Sequence, residues 1–428
     1  MNAPNSEAKP RVVIVGAGFG GMAAAKALDP SRADIVLIDR ANHHLFQPLL
    51  YQVATAALSP SDIATANRTL LRGDRARIVM AEVVGVDVTA SVVLLGDGTR
   101  EPFDHLVLAI GSAYSFFGHD SWERHALVLK SLEDALAIRT RLLDHFEAAT
   151  RSTDQATIRR LLTFVVVGGG PTGVELAGTI AEFVRSVLPR DFASLGADAA
   201  RVILAEGGER LLTSFTTAQS AYAERALTAL GVEVRLGKEV ADITADHVTI
   251  GDDEIATAMA LWCAGTKPLP AAAWLGSSAS KNGGAVVGAD CSVAGHSNIF
   301  VIGDAATCDG RDGKPLPALA PVAKQQGKFV AALLNARIAG RRGKRVFRYR
   351  DWGALAVIGR SRAVATFGNM HLSGLVAWLT WALVHLALLV DFRSRVLVYV
   401  NWSWEWLHAN RGVRLIIAPL GEDKRNGR

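Results

Sequence analysis

Six glycines fall into two trios with one spacing: Gly16, Gly18 and Gly21, then Gly168, Gly170 and Gly173. In a G-x-G-x-x-G turn the first glycine allows a tight passage from strand to helix. The second leaves no side chain where a pyrophosphate meets the backbone, and the third lets helix and strand pack closely. The phosphates then sit on free N–H groups at the positive end of the helix dipole. Either trio alone is equally read as a plain glycine turn. Acidic residues stand downstream of both. Asp39 ends IVLID, 23 residues after Gly16, and Glu206 ends RVILAE, 38 residues after Gly168. A carboxylate at such a strand end accepts a hydrogen bond from a ribose hydroxyl; a solvated strand-end acid is the alternative. At Glu206 it also repels a 2′-phosphate, which predicts a preference for NADH over NADPH.

The elements that position these residues repeat as well. Val12–Val15 and Phe164–Val167 are short apolar runs of buried-strand type, and each leads through its glycines into a helix-forming stretch. After the first copy come strand-like runs, a Gly-Asp-Gly turn at 96–98, then LVLAIGS. After the second come VEVRL, a Gly-Asp-Asp turn at 251–253, then ALWCAGT. Gly16 to Gly111 is 95 residues and Gly168 to Gly265 is 97. The long approach to Glu206 reads as an extended helix and loop over VRSVLPRDFASLGADAA. The fold class is therefore α/β, with one Rossmann-like dinucleotide-binding fold used twice. A late apolar strand, residues 298–302, ends in Gly303-Asp304, which alone is equally a turn.

Composition narrows the alternatives. The chain has 428 residues, half of them apolar and a fifth charged, enough for two or three packed domains and against wholesale disorder. Cys263, Cys291 and Cys308 form no CxxC pair, which argues against a disulfide scaffold, a zinc finger and a dithiol motif. The net charge of +5 is modest and shows no aromatic–basic spacing, so no nucleic-acid partner is expected. MNAPNSEAKP lacks the apolar core of a signal peptide, so a cytoplasmic start is the expectation. The adjacent His43 and His44 lack further clustered ligands, and no metal is assigned.

The chain resembles the type II NADH:quinone oxidoreductases, the single-subunit alternative NADH dehydrogenases. The resemblance rests on DRANHHLFQPLLYQVATAALSPSDIA at 39–64, GGGPTGVELAG at 168–178 and APVAKQQG at 320–327. It implies a FAD domain at 1–118 and 276–345, an inserted NADH domain at 119–275 and a C-terminal membrane-anchoring region from 346 to 428. NADH would pass a hydride to a non-covalently held FAD, and two electrons would go on to a membrane quinone without proton pumping. The resemblance places Gly16, Gly18, Gly20, Gly21, Asp39, Arg40, Val83, Ala109, Gly111, Gly303 and Asp304 at the flavin, with Asp304 on the ribityl chain, and Gln47 at the isoalloxazine or the quinone. It places Gly168, Gly170, Thr172, Gly173, Glu206 and Gly265 at NADH. Glu175 is implied to position substrate or handle a proton; stabilising the helix N-terminus is its alternative role. The family's quinone motif often reads AQxxxQ, but here Pro321 replaces the first glutamine and has no N–H to donate. Gln325 is then the candidate beside the quinone, with Gln326 after it; both are otherwise surface amides of a helix.

No Asp, Glu, Lys or Arg occurs between Ala363 and Val390. The strongest apolar stretch, residues 375–390, would be a helix of ~24 Å, short for a hydrocarbon core of ~30 Å. Trp352, Trp378, Trp381, Trp402, Trp404 and Trp406 all lie in this last part of the chain, and tryptophan favours the headgroup level. RRGKRVFRYR at 341–350, with Arg411 and Arg414, suits anionic lipid. Two amphipathic helices lying in one leaflet are expected, on the cytoplasmic face of the membrane; a buried dimer or core helix is the alternative. The resemblance adds a homodimer and access to the quinone pool. Competing readings are a sulfide:quinone oxidoreductase, which needs a cysteine pair at the flavin, an NADH-responsive sensing flavoprotein, and a soluble NADH diaphorase.

Overall fold

The computed structural model describes residues 9–73, 75–196, 198–341, 343, 345–408 and 414–416. The polar start of the chain, Arg342 and Lys344 of the basic run, Arg411 and the side chain of Trp406 lie outside the described residues. The chain forms two compact units, each drawn from three stretches: within 1–45, 64–113 and 266–351, and within 46–63, 114–265 and 352–428.

The first unit is built on a six-stranded sheet. Its order is Ser292–Val293, His296–Val301, His105–Leu108, Arg11–Val15, Asp34–Asp39, Arg77–Met80. Arg11–Val15 is central because its residues 12–15 are buried on both faces, as a parallel strand under helices must be. It pairs in parallel with residues 34–38 on one side and 105–108 on the other. The late strand His296–Val301 joins the same sheet beside His105–Leu108, which brings Gly303-Asp304 back to this unit. A three-stranded antiparallel meander at Val83–Asp87, Val92–Leu95 and Arg100–Pro102 fills the expected insertion. The helices Phe19–Ala27 and Ala320–Ile338 cross closely. Gly327 is required there, because a Cβ would strike the carbonyl of Gly20.

The second unit repeats the plan with a five-stranded parallel sheet, in the order Ala126–Val128, Met259–Trp262, Thr163–Val167, Arg201–Glu206, Val232–Leu236. The matching meander is Val240–Ile243, His247–Ile250 and Asp253–Ala256. The helix Pro171–Asp191, followed by a short turn at Ala193–Leu195, accounts for the long approach to Glu206.

Two boundaries differ from the sequence expectation. Residues 46–63, expected with the flavin domain, belong to the second unit. The indole N–H of Trp402 donates to Gln52 Oε1 at 2.7 Å, and Asn401 Nδ2 to Asp62 Oδ2 at 3.1 Å. These polar pairs tie the segment to the C-terminal helices. The C-terminal region from residue 352 falls within the second unit. Its strands Ala354–Gly359, Arg362–Phe367 and Met370–Gly374 form an antiparallel sheet, so the uncharged stretch begins as sheet. Gln219 Nε2 donates to the carbonyls of Ala365 (2.9 Å) and Leu372 (3.1 Å), docking this sheet within the second unit. The helices Leu375–Leu388 and Phe392–His408 follow.

Candidate functional site

Each glycine turn is shaped by contacts that no other residue permits. Gly16 has φ +98° and Gly168 φ +111°, in the region side chains rarely adopt. A Cβ at Gly16 would strike the Ala109 carbonyl, and one at Gly168 would lie 2.7 Å from Ala264 Cα. A Cβ at Gly21 or Gly173 would run into the carbonyl of Gly16 or Gly168 respectively. Gly18 and Gly170, by contrast, face open space, as the phosphate position requires.

In the first unit Asp39 Oδ2 accepts the Ala17 N–H at 2.5 Å and Oδ1 the Ala41 N–H at 2.7 Å. His44, buried, donates from Nδ1 to the Ala17 carbonyl at 2.7 Å, and burial lowers its pKa, keeping it neutral. The Ser112 hydroxyl donates to Asp304 Oδ2 at 2.7 Å, and the Gly303 N–H to Gln326 Oε1 at 2.8 Å. Ser112, Gly303, Asp304, Cys308 and Gln326 line one cavity. An open turn, a strand-end carboxylate and a carboxylate facing a cavity fit the pyrophosphate, ribose and ribityl parts of FAD.

The other expected flavin residues take these places. Gly20 serves helix packing against Gly327, Arg40 is exposed, and Val83 begins the meander. Gly111 adopts φ +77° with nothing against it. Gln47 is exposed and sits in the second unit. Of the two glutamines, Gln326 lines the cavity and Gln325 does not. Gln325 is spent on a clasp: its Nε2 donates to the Arg350 carbonyl (2.9 Å) and its Oε1 accepts the Arg350 N–H (3.0 Å). Gln326 thus faces the cavity beside Asp304, and Gln325 is engaged by the Arg350 backbone. Pro321 lies in the first turn of Ala320–Ile338, where a missing N–H costs nothing.

In the second unit Glu206 Oε2 accepts the Gly169 N–H at 2.5 Å and Oε1 the Gly208 N–H at 2.7 Å. Thr172 is exposed in the first helical turn. Glu175 lies one turn on, where its Oε1 accepts the Val357 N–H at 3.3 Å. Burial pushes its carboxyl up to about 8, only partly offset by that hydrogen bond. Val357 and Thr179 also line a cavity of about 390 Å³ walled by Trp378, Trp381 and Trp402, with Arg185, Arg190 and Arg360 around it. The buried indole N–H of Trp381 has no acceptor among the described residues. The arginines carried no sequence signal, because nothing in their spacing shows that a helix and a distant strand converge. Cys263 is half-buried, and desolvation pushes its thiol up to about 12, far from a reactive thiolate.

A family model described as pyridine nucleotide-disulphide oxidoreductase matches residues 10–327, and one described as NDH2 C-terminal domain matches 352–409. The type II NADH:quinone oxidoreductase Ndh of Mycobacterium tuberculosis is 38% identical over 421 residues, covering 94% of this chain and 89% of that protein. The chain belongs to the type II NADH:quinone oxidoreductases. A second relative in this family, NdhA of the same organism, is 36% identical over 96% of this chain and 90% of its own length. The fold matches that of NDH2 from Plasmodium falciparum, solved in complex with NADH, with a TM-score of 0.87 at 20% identity. The match covers 96% of this chain and all of that one.

Proposed function

We propose that this chain oxidises NADH and reduces a membrane quinone, without pumping protons, using FAD. The observation that carries the reading is the repeated turn: each unit has an open glycine, a closed glycine and a strand-end carboxylate, and among the described residues only the first also holds a return-strand aspartate. FAD, when bound, supplies a two-electron carrier between a hydride donor and a quinone. In the first unit the Gly16–Gly21 turn receives the pyrophosphate and Asp39 a ribose hydroxyl. Asp304, which accepts from the Ser112 hydroxyl, would hold the ribityl chain, and Gln326 fixes the Gly303 amide next to it. In the second unit Gly170 receives the NADH pyrophosphate, and Glu206 favours a free 2′-hydroxyl over a phosphate.

With its carboxyl pushed up to about 8 by burial, Glu175 is expected to hold a proton at neutral pH. Because its Oε1 accepts from Val357, the other oxygen carries that proton as a donor. The tryptophan-walled cavity that Val357 also lines is the candidate path for a quinone, with the Trp381 N–H, which has no acceptor among the described residues, as a ready donor to a carbonyl oxygen.

The C-terminal helices support docking on lipid. In Leu375–Leu388, Ala377, Trp381 and His385 are buried while Leu375, Val376, Leu379 and Leu383 are exposed. In Phe392–His408, Phe392, Val396, Tyr399, Val400 and Trp404 share the exposed side. No helix among the described residues is long and apolar enough to cross a membrane. One apolar face outward and one inward suits helices lying in the interface. The cytoplasmic face is the side on which NADH is found, and a homodimer through the same region would share these apolar faces with lipid.

Anaerobic titration of the purified protein tests the reading. One equivalent of NADH bleaches the flavin spectrum, and a short-chain quinone restores it. Bleaching without recovery would leave the dinucleotide sites and remove the quinone.

A further inference from the structure

The segment before the second unit's sheet carries two successive phenylalanines that face opposite ways. Phe116 is buried, its ring 5.3 Å from that of Trp262 and part of the core beneath the sheet end. Phe117 is 65% exposed and adopts φ +52°, a region that a bulky residue rarely occupies. The turn is held firmly. The Trp262 indole N–H donates to the Ser115 carbonyl at 2.9 Å, and the Ser115 N–H donates to the Gly265 carbonyl at 3.2 Å. The left-handed backbone turns the Phe117 ring outward over Gly265, so closely that a Cβ at 265 would strike it. Trp262 lies edge-on at 6.1 Å.

The sheet order says what passes this point. Thr163–Val167 lies between Arg201–Glu206 and Met259–Trp262. A dinucleotide crossing the end of the central strand puts its adenosine half toward Glu206 and its other half toward the end of Met259–Trp262, where Gly265 and Phe117 stand. We propose that Phe117 is the aromatic wall against which the nicotinamide half of NADH packs, a positioning residue held outward by its own backbone. The inference rests on the NADH site described above and adds a residue to it. An exposed ring with a rigid base keeps its contact area at little entropic cost, and ring-on-ring packing supplies attraction beyond area.

The test separates the two halves of the ligand. Calorimetry on the oxidised, flavin-loaded protein compares NAD⁺, which cannot reduce the flavin, with ADP-ribose, which lacks the nicotinamide. Phe117→Ala weakens NAD⁺ about three- to tenfold, the range of one aromatic pair, and leaves ADP-ribose unchanged. Phe117→Tyr restores NAD⁺ binding. Phe117→Gly, which tolerates the left-handed backbone, repeats the alanine result because both variants lose the ring; wild-type NAD⁺ binding by the glycine variant would trace the alanine effect to a distorted turn and overturn the proposal. Equal weakening of both ligands, no change in either, or tighter NAD⁺ binding overturns the proposal. A wild-type protein that binds neither overturns the dinucleotide site itself, and the inference with it.

Discussion

Asp39 and Glu206 hold the same place in two glycine turns. Each carboxylate accepts the amide of the residue after the first glycine at 2.5 Å and the amide two residues past itself at 2.7 Å. The acid thus fixes the turn before any ligand arrives. The charge, rather than the hydrogen bonds alone, should set the choice of nucleotide. Glu206→Gln keeps an acceptor for one amide but removes the charge. The ratio of kcat/KM for NADPH over NADH is expected to rise about tenfold, since one lost charge repulsion near a surface is worth ~1–2 kcal/mol. Steady-state kinetics with both nucleotides checks it. An unchanged ratio would leave Glu206 a purely structural support of the turn.

The two closed glycines give a paired test of which unit holds which nucleotide. A Cβ at Gly21 or Gly173 meets a backbone carbonyl within its own turn, and backbone cannot yield as a side chain can. Gly173→Ala is expected to purify yellow, with a normal flavin spectrum, and to resist reduction by NADH. Gly21→Ala is expected to lose flavin on purification. Absorbance at the flavin bands and the NADH bleaching rate read both. The opposite pattern would exchange the assignments of the two units.

Local constraints made this much of the site legible in the sequence. A glycine that must be a glycine, and an acid a fixed distance beyond it, leave marks within one βα unit. The return of Gly303-Asp304 was legible only through the family resemblance, since the residues alone read equally as a turn. What depended on long-range packing was not. Gln325 and Gln326 are neighbours with opposite fates, and only the position of Arg350 shows that Gln325 is engaged. Residues 46–63 read as part of the first domain until Gln52 and Asp62 are found bonded to Trp402 and Asn401. Phe117 gives no signal at all, because its meaning lies in its φ and in the glycine beneath it.

Glu175 should leave a signature in pH. Its folded value of about 8 stands above the 4.5 of an unperturbed glutamate. Between these values the unfolded chain has released a proton that the folded chain still holds. Stability from this group is therefore fully present below about pH 4.5 and is lost as pH rises through about 8, by at most ~1.4 kcal/mol per pH unit. Glu175→Gln is expected to flatten the fall in melting temperature between pH 5 and pH 8. It should also remove an alkaline limb from kcat/KM for quinone if the held proton is used. A variant with the wild-type pH profile in both measurements would show that Glu175 neither holds nor delivers a proton.

The two C-terminal helices make the last prediction. Leu383 is 70% exposed and Phe392 75% exposed, an arrangement that costs a water-facing surface and suits a lipid-facing one. Burying each in the acyl boundary contributes roughly 2 kcal/mol. Leu383→Glu with Phe392→Glu is expected to reduce co-sedimentation with anionic vesicles by a factor of roughly 10² or more. Neither side chain lines the tryptophan cavity, so reduction of a water-soluble acceptor by NADH should stay near wild type. Reduction of a long-tailed quinone in vesicles should fall with the binding. If the variant stays on vesicles but its solution mass halves, these faces cover a second copy of the chain, and the lipid contact must lie elsewhere.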